Sequence, residues 1–283
     1  MIINNIENLD EIKQKFLSAK PFPHVVIDNF FKDEFYSDLP SILNDFYQSK
    51  KEDGKKFESD IEKKWGSSGL DLPEKLIAVQ NLIKSNDFLS LVEGITGFNN
   101  LKLTKNINGR GFSFFHVSEK GSYLGPHTDH TRDRHFGPYH VANIIIYASD
   151  SWRPEWGGGT TLYDEKINHV ETIEFKPNRA LFFMHSPSSI HGSQKVFKNA
   201  ETNRHSFYYD FYTDDKDPYK HTSLNKISLH SAPHLFYLDK KIDYLKPKNL
   251  KYSLQHIRSA LGFIDYKFLN QNFTRALRKI VIK

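Results

Sequence analysis

The sequence predicts a mainly β protein with helical additions, organised around a barrel or sandwich of short strands. Three observations point there. Between Phe112 and Tyr212, short apolar and β-branched runs alternate with turn residues, and no helical pattern intervenes. Apolar spacing of helical type is confined to the stretches before and after this region. The chain also carries 23 Phe and 14 Tyr in 283 residues, enough bulk for a sizeable core.

From the N-terminus, residues 6–19 read as a helix with Ile6, Leu9, Ile12 and Phe16 near one face, ended by Pro21 and Pro23. His24 to Asp28 is a β-branched run suited to a strand. Asn29 can cap a second helix, and residues 31–46 read as that helix, amphipathic along its length. The charged stretch 50–67 predicts a surface loop or short helix. Residues 73–83 and 87–95 read as two short helices. Residues 101–115 then turn into strands around Gly109 and Gly111.

Eight strands are expected next, over residues 112–117, 123–129, 141–148, 160–163, 170–175, 180–185, 189–192 and 204–212. The fourth is entered from Gly157-Gly158-Gly159, and Lys176-Pro177-Asn178 turns the fifth into the sixth. Beyond residue 216, Leu254, Ile257, Leu261 and Ile264 follow helical spacing, with Phe268, Phe273, Leu277 and Ile280 after them. The expected division is a helical and mixed shoulder over 1–111, a β core over 112–215 and a basic, mostly helical extension over 216–283. The C-terminal helices would dock on the core or on a second copy, giving a homodimer.

Several function classes are excluded. With no cysteine there are no disulfides and no thiolate-held zinc or iron–sulfur clusters. No apolar run is long enough to span a bilayer, and the first residues lack a secretory pattern, so a cytoplasmic address is expected. The net charge of +5 is uneven. Residues 216–283 hold 14 Lys and Arg against 4 Asp and Glu, and the other 215 hold 25 against 30. A solvated basic surface accounts for that tail, the alternative being contact with an anionic partner such as a phosphate-bearing substrate or a membrane surface; no motif supports nucleic-acid binding.

The chemistry concentrates in His127-Thr128-Asp129 and His191. Residues two apart on a strand face the same side, so His127 and Asp129 can converge on one metal while Thr128 faces away. His191 must arrive from a neighbouring strand. Two imidazoles and a carboxylate suit divalent iron and leave adjacent coordination positions open.

The motifs around these ligands resemble the Fe(II)- and 2-oxoglutarate-dependent dioxygenases, within them the prolyl-4-hydroxylase-like branch. They are Gly121 ahead of the triplet, Ile144-Ile145-Ile146-Tyr147, Gly158-Gly159-Thr160-Thr161-Leu162-Tyr163, Pro177-Asn178-Arg179-Ala180-Leu181-Phe182-Phe183, and Arg204-His205-Ser206-Phe207. A weaker echo lies in residues 21–31. The resemblance implies a double-stranded β-helix core (jelly roll, cupin-like). It implies Fe(II), 2-oxoglutarate as co-substrate and O2, with ascorbate as an optional stimulant.

It also assigns His127, Asp129 and His191 to the metal and to catalysis, and Arg204 with Ser206 to the far carboxylate of 2-oxoglutarate. A planar guanidinium suits that task. The family often has a tyrosine where this chain has Ser118, so His116, Tyr123 and Tyr147 are its candidate replacements. The link from Val196 to Asn203 is longer and more polar than usual. A carboxylate at Asp129 favours hydroxylation over halogenation, with desaturation or ring closure as further outcomes.

Two segments are candidate substrate loops. Residues 129–140 offer Arg132 and Arg134; residues 150–156 offer Trp152, Arg153 and Trp156. Arginines suit an anionic group and tryptophans a ring or sugar face. The plainer alternative has the tryptophans covering the barrel edge and the arginines pairing with Asp133, Asp150 and Glu155. His130 and His140 read as hydrogen-bonding groups. The expected activity is hydroxylation of an unactivated C–H bond in a small molecule, amino-acid derivative or glycan precursor. Its rivals are a prolyl or other peptidyl hydroxylase and a non-catalytic cupin-type binding module.

Overall fold

The computed structural model describes residues 1–58, 62–104, 113–131 and 138–222, with the backbone of Leu235–Phe236. The expected strand entry at Gly109 and Gly111, the arginines Arg132 and Arg134, and the C-terminal helices lie outside the described residues.

Strands β1 (His24–Ile27), β2 (Lys55–Glu58), β3 (Glu62–Gly66), β4 (Phe115–Ser118), β5 (Tyr123–Thr128) and β6 (Tyr139–Tyr147) come first. They are followed by β7 (Thr160–Tyr163), β8 (His169–Ile173), β9 (Arg179–Met184), β10 (His191–Ser193), β11 (Arg204–Thr213) and β12 (Leu235–Phe236). All belong to one sheet, in the order β1-β9-β6-β11-β4-β3-β5-β10-β7-β8, with β2 on β3 and β12 on β5. The sheet is mainly antiparallel and curls into a jelly roll, the fold class the sequence predicts.

Helices α1 (Leu9–Ser18), α2 (Asp33–Tyr36), α3 (Leu39–Lys50), α4 (Glu74–Lys84) and α5 (Asn86–Thr96) form the shoulder. They cover the outer face through aromatic contacts such as Phe30–Phe182, Phe88–Phe211 and Phe46–Phe115. Full burial of such a ring is worth about 2–3 kcal/mol relative to exposure. One apolar cluster runs from Phe16 and Leu43 in the helices to Ile144, Phe182 and Phe207 in the sheet.

Two expectations change. The single helix over 31–46 is two helices, because Pro40 lies in the first turn of α3 and cannot continue a helix from Tyr36. The charged stretch 50–67 is no loop or helix over β2 and β3. It forms a hairpin whose second strand pairs with both β4 and β5, inside the sheet. One face of β3 buries Trp65 against Phe46, Tyr47 and Phe115. Its other face carries Glu62 and Lys64, both half-buried.

Candidate metal centre and co-substrate pocket

β5 carries His127 and releases Asp129 just past its end. β10 runs antiparallel to it and sets His191 opposite His127, with ring centroids 4.2 Å apart. The local chain fixes both rings. His127 Nδ1–H donates to the Gly125 carbonyl at 2.8 Å, and His191 Nδ1–H donates to the Ser189 carbonyl at 3.0 Å. The Ser186 hydroxyl accepts the Ser188 amide at 3.2 Å, closing the turn that presents Ser189. With Nδ1 protonated in each ring, Nε2 keeps its lone pair.

Those nitrogens face one carboxylate. His127 Nε2 lies 3.6 Å from Asp129 Oδ1, and His191 Nε2 lies 3.5 Å from Oδ2. All three ligand atoms fall within 4.8 Å of one another, and all three side chains are buried. Two neutral imidazoles and one carboxylate, turned inward and spaced as neighbours on one ion, form a donor set that fits Fe(II).

The inner face of β11 continues the site. Arg204, Ser206, Tyr208 and Asp210 alternate along it, while His205, Phe207, Tyr209 and Phe211 face the helices. Arg204 is buried, and its Nε donates to the Gly158 carbonyl at 2.6 Å and its Nη1 to Ser206 Oγ at 3.0 Å. The guanidinium lies 5.3 Å from the Tyr147 ring and 5.2 Å from the Phe175 ring. No carboxylate pairs with it among the described residues, and burial pulls its pKa down. An uncompensated buried cation is costly unless an anion completes it. A Cβ on Gly158 would come within 3.2 Å of Arg204 Cδ and 3.0 Å of the Trp152 ring, and φ there is +77°, so glycine is required.

Ser118 sits directly across from Arg204 and cannot reach where a tyrosine would. Tyr147 comes instead, buried, with its hydroxyl 2.7 Å from Thr160 Oγ1. Tyr123 does not join it. An irregularity in β5 between His127 and Leu124 reverses the facing, so Tyr123 pairs with Lys63 on the Trp65 side of β3. His116 is on the inner face across from Ser206, stacked on Tyr208 at 6.0 Å. Burial, with Lys64 and Arg204 nearby, keeps its pKa well below the ordinary value, so it is neutral.

Sequence comparison decides the family. The model of the 2OG-Fe(II) oxygenase superfamily matches residues 113–211. This core is a 2OG-Fe(II) oxygenase domain. The family uses Fe(II), 2-oxoglutarate and O2. Among solved structures, a Pseudomonas putida prolyl-4-hydroxylase superposes with a TM-score of 0.52 at 13% identity, over 74% of this chain and 100% of that one. A Trichoplax adhaerens prolyl hydroxylase, solved with a hypoxia inducible factor oxygen degradation domain peptide fragment, gives 0.53 at 14% identity, over 73% and 89%. At such identities the likeness is one of fold. No curated protein matches by sequence.

The expected substrate residues are scattered. Trp156 is buried against Val196 and Ala200. Trp152 packs at 4.6 Å on Phe175 and donates Nε1–H to the Gly157 carbonyl at 2.8 Å. Trp152 therefore packs beside the Phe175 ring that flanks Arg204, and Trp156 lies edge-on to Trp152 at 5.4 Å. Arg153 is exposed and pairs with Glu201 at 3.7 Å, rather than with Asp150 or Glu155. Glu62 and Lys64, an ion pair at 3.1 Å, also share the inner face, with Phe57 edge-on to His116 at 6.4 Å.

Sequence reasoning also missed Asn143, Tyr208 and Asp210. Asn143 is the cross-strand partner of Asp210 on β6 and β11. The signal was the alternation of polar residues from Arg204 to Asp210 inside an otherwise aromatic strand. Among the described residues, no helix is long and apolar enough to cross a membrane.

Proposed function

We propose that the protein is an Fe(II)- and 2-oxoglutarate-dependent hydroxylase of an unactivated C–H bond, acting on a small anionic molecule such as an amino-acid derivative or glycan precursor. His127, Asp129 and His191 hold the metal. Arg204 takes the far carboxylate of 2-oxoglutarate, with Ser206 holding the guanidinium and the Tyr147 and Phe175 rings flanking it. Bound there, Fe(II) and 2-oxoglutarate would supply, with O2, the oxidation of the C–H bond as 2-oxoglutarate is converted to succinate and CO2.

The observation that carries this reading is Arg204: a buried guanidinium with no carboxylate partner among the described residues, on the strand whose Tyr208 hydroxyl reaches Asp129. The chain's own residues orient and exclude. Neutral His116 and half-buried Tyr208 line the way from Arg204 towards Asp129. Trp152 and Phe175 keep water from the far end of the pocket. The anionic substrate class rests on the arginines of the candidate substrate loops, of which Arg153 is exposed; Lys64 is already paired with Glu62.

The test is succinate formation from 2-oxoglutarate with Fe(II), over a panel of anionic metabolites and proline-containing peptides. Stimulated turnover by a metabolite, abolished in His127→Ala, is expected. Stimulation by peptides alone would move the substrate class to a peptidyl hydroxylase. A protein that binds neither Fe(II) nor 2-oxoglutarate would be a binding module and not an enzyme.

A further inference from the structure

We infer that Asn143 and Tyr208 form a directed hydrogen-bond relay, anchored on Asp210, that positions the carboxylate of Asp129 for the metal. The inference rests on the metal centre proposed above. Asn143 Nδ2 lies 2.9 Å from Asp210 Oδ1 and 2.7 Å from the Tyr208 hydroxyl oxygen. The Asp210 carboxylate accepts only, so it fixes the amide with its nitrogen inward. One amide proton goes to Asp210 and the other to Tyr208. The phenol oxygen then accepts from Asn143, and its own proton is turned to Asp129 Oδ2, 3.0 Å away. Asn143 Nδ2 itself stands 3.5 Å from that oxygen.

Asp210 is held in turn. His140 Nε2 faces its Oδ1 at 3.3 Å, and the Tyr212 hydroxyl donates to Oδ2 at 3.0 Å. His140 is oriented by the His130 carbonyl, which accepts its Nδ1–H at 2.9 Å. Asn143, Asp210 and His140 are all buried. The relay engages Oδ2 and fixes the carboxylate plane, which turns Oδ1, beside His127, towards the metal position. Tyr208 and Asn143 are thus positioning residues.

The same groups contain a second cluster of metal-ligating type, His130, His140 and Asp210. Asp210 already has both oxygens occupied by Asn143 and Tyr212, which is the arrangement of a support and not of a vacant ligand.

The test is Mn(II) binding to the apoprotein, read from the electron paramagnetic resonance signal of free Mn(II). Tyr208→Phe should weaken Mn(II) about 10- to 100-fold, the usual cost of losing a partner behind a metal ligand. Asp210→Asn should weaken it by a smaller factor, because it acts through Asn143. The affinity of Asp210→Asn for 2-oxoglutarate at saturating Mn(II) should stay within about twofold, since Arg204 is untouched and Asp210 lies behind Asn143; a general loosening of the core would move both. If Tyr208→Phe does not fold, as judged by its melting in EDTA, Asn143→Leu takes its place.

Wild-type affinity in a folded Tyr208→Phe variant overturns the relay alone. A wild-type protein that holds no Mn(II) overturns the metal centre and the relay with it. Two Mn(II) per chain, falling to one in Asp210→Asn, would make Asp210 a ligand and also overturn the relay.

Discussion

One strand, β11, carries two buried charges on the same face, and the two are treated in opposite ways. Arg204 has a carbonyl, a hydroxyl and two aromatic rings around it, but no anion among the described residues. Asp210, three inward positions along, is met by Asn143, Tyr212 and His140. Burial alone would raise the Asp210 pKa, yet His140 and His130 hold it below the usual carboxylate value. Burial alone would lower that of His140, yet Asp210 raises it. His185, stacked on His140 at 3.9 Å, is kept neutral by burial and by that neighbouring charge. A charge completed from within the protein is structural. A charge left incomplete is waiting for a ligand. That contrast, more than residue type, separates the co-substrate end of the site from its support.

The largest effect should come from Arg204→Met. It removes the cation that a dicarboxylate needs, at a cost of about 2–5 kcal/mol in binding, or roughly 30- to several-thousand-fold in 2-oxoglutarate affinity. Its apo stability should not fall, because an uncompensated buried charge is replaced by a packed thioether. Calorimetric titration and urea unfolding of the same sample check both halves. A variant that loses stability along with binding would mean that Arg204 is completed within the fold, and the contrast with Asp210 would fail.

Asp210→Asn should do the reverse. Breaking a buried pair costs about 3–5 kcal/mol when the remaining charge stays. Here His140 can lose its proton, so about 2–3 kcal/mol is expected, with little change in 2-oxoglutarate affinity. The pH dependence gives the sign. Asp210 has a lowered pKa, so its contribution is fully present above the unfolded value of 3.8 and is lost as pH falls through the folded one. His140 has a raised pKa, so its contribution is fully present below 6.5 and is lost as pH rises through the folded one. The difference in unfolding free energy between wild type and variant should therefore peak between those two values. A difference that stays unchanged as pH falls below the first value and rises above the second would remove the ion pair from the account.

The two ends of β11 also differ in how far the sequence discloses them. His127 and Asp129 are legible because alternation on a strand puts both on one side, and Arg204 because it opens the strand that follows His191 in the family's motif order. The strands of the core are legible because their apolar runs are short and separated by turn residues. The support is not legible, because it depends on register. Asn143 faces Asp210 only through the β6–β11 pairing, and a shift between Phe211 and Tyr212 sets His140 opposite Tyr212. A one-residue slip would turn each of these side chains to the other face. The same physics hid the facing of Tyr123, which an irregularity inside β5 reverses. The hairpin of β2 and β3 was hidden differently. Its lysines and glutamates read as solvated loop, and only the burial of Trp65 on one face makes them a strand.

The smallest effect sharpens the comparison most. Tyr147 stands at the Arg204 end, and its hydroxyl is bonded to Thr160 within the fold. If that end is defined by the unpaired cation and by aromatic faces, the ring should matter and the hydroxyl should not. Tyr147→Phe keeps the face beside Arg204 and removes one buried hydrogen bond, leaving Thr160 Oγ1 without it. The expected loss is about 1 kcal/mol of stability. The affinity for 2-oxoglutarate should change by less than about threefold, since the removed hydroxyl is neutral and the Arg204 cation remains to pair with the carboxylate. Tyr147→Leu, which removes the face as well, should weaken binding further by about 0.5–2 kcal/mol, the range for a cation on an aromatic ring in a desolvated place. Titration of both variants against wild type gives the order. A Phe variant that binds tenfold worse would make the Tyr147 hydroxyl a direct partner of the co-substrate, filling the role that Ser118 is too short to fill.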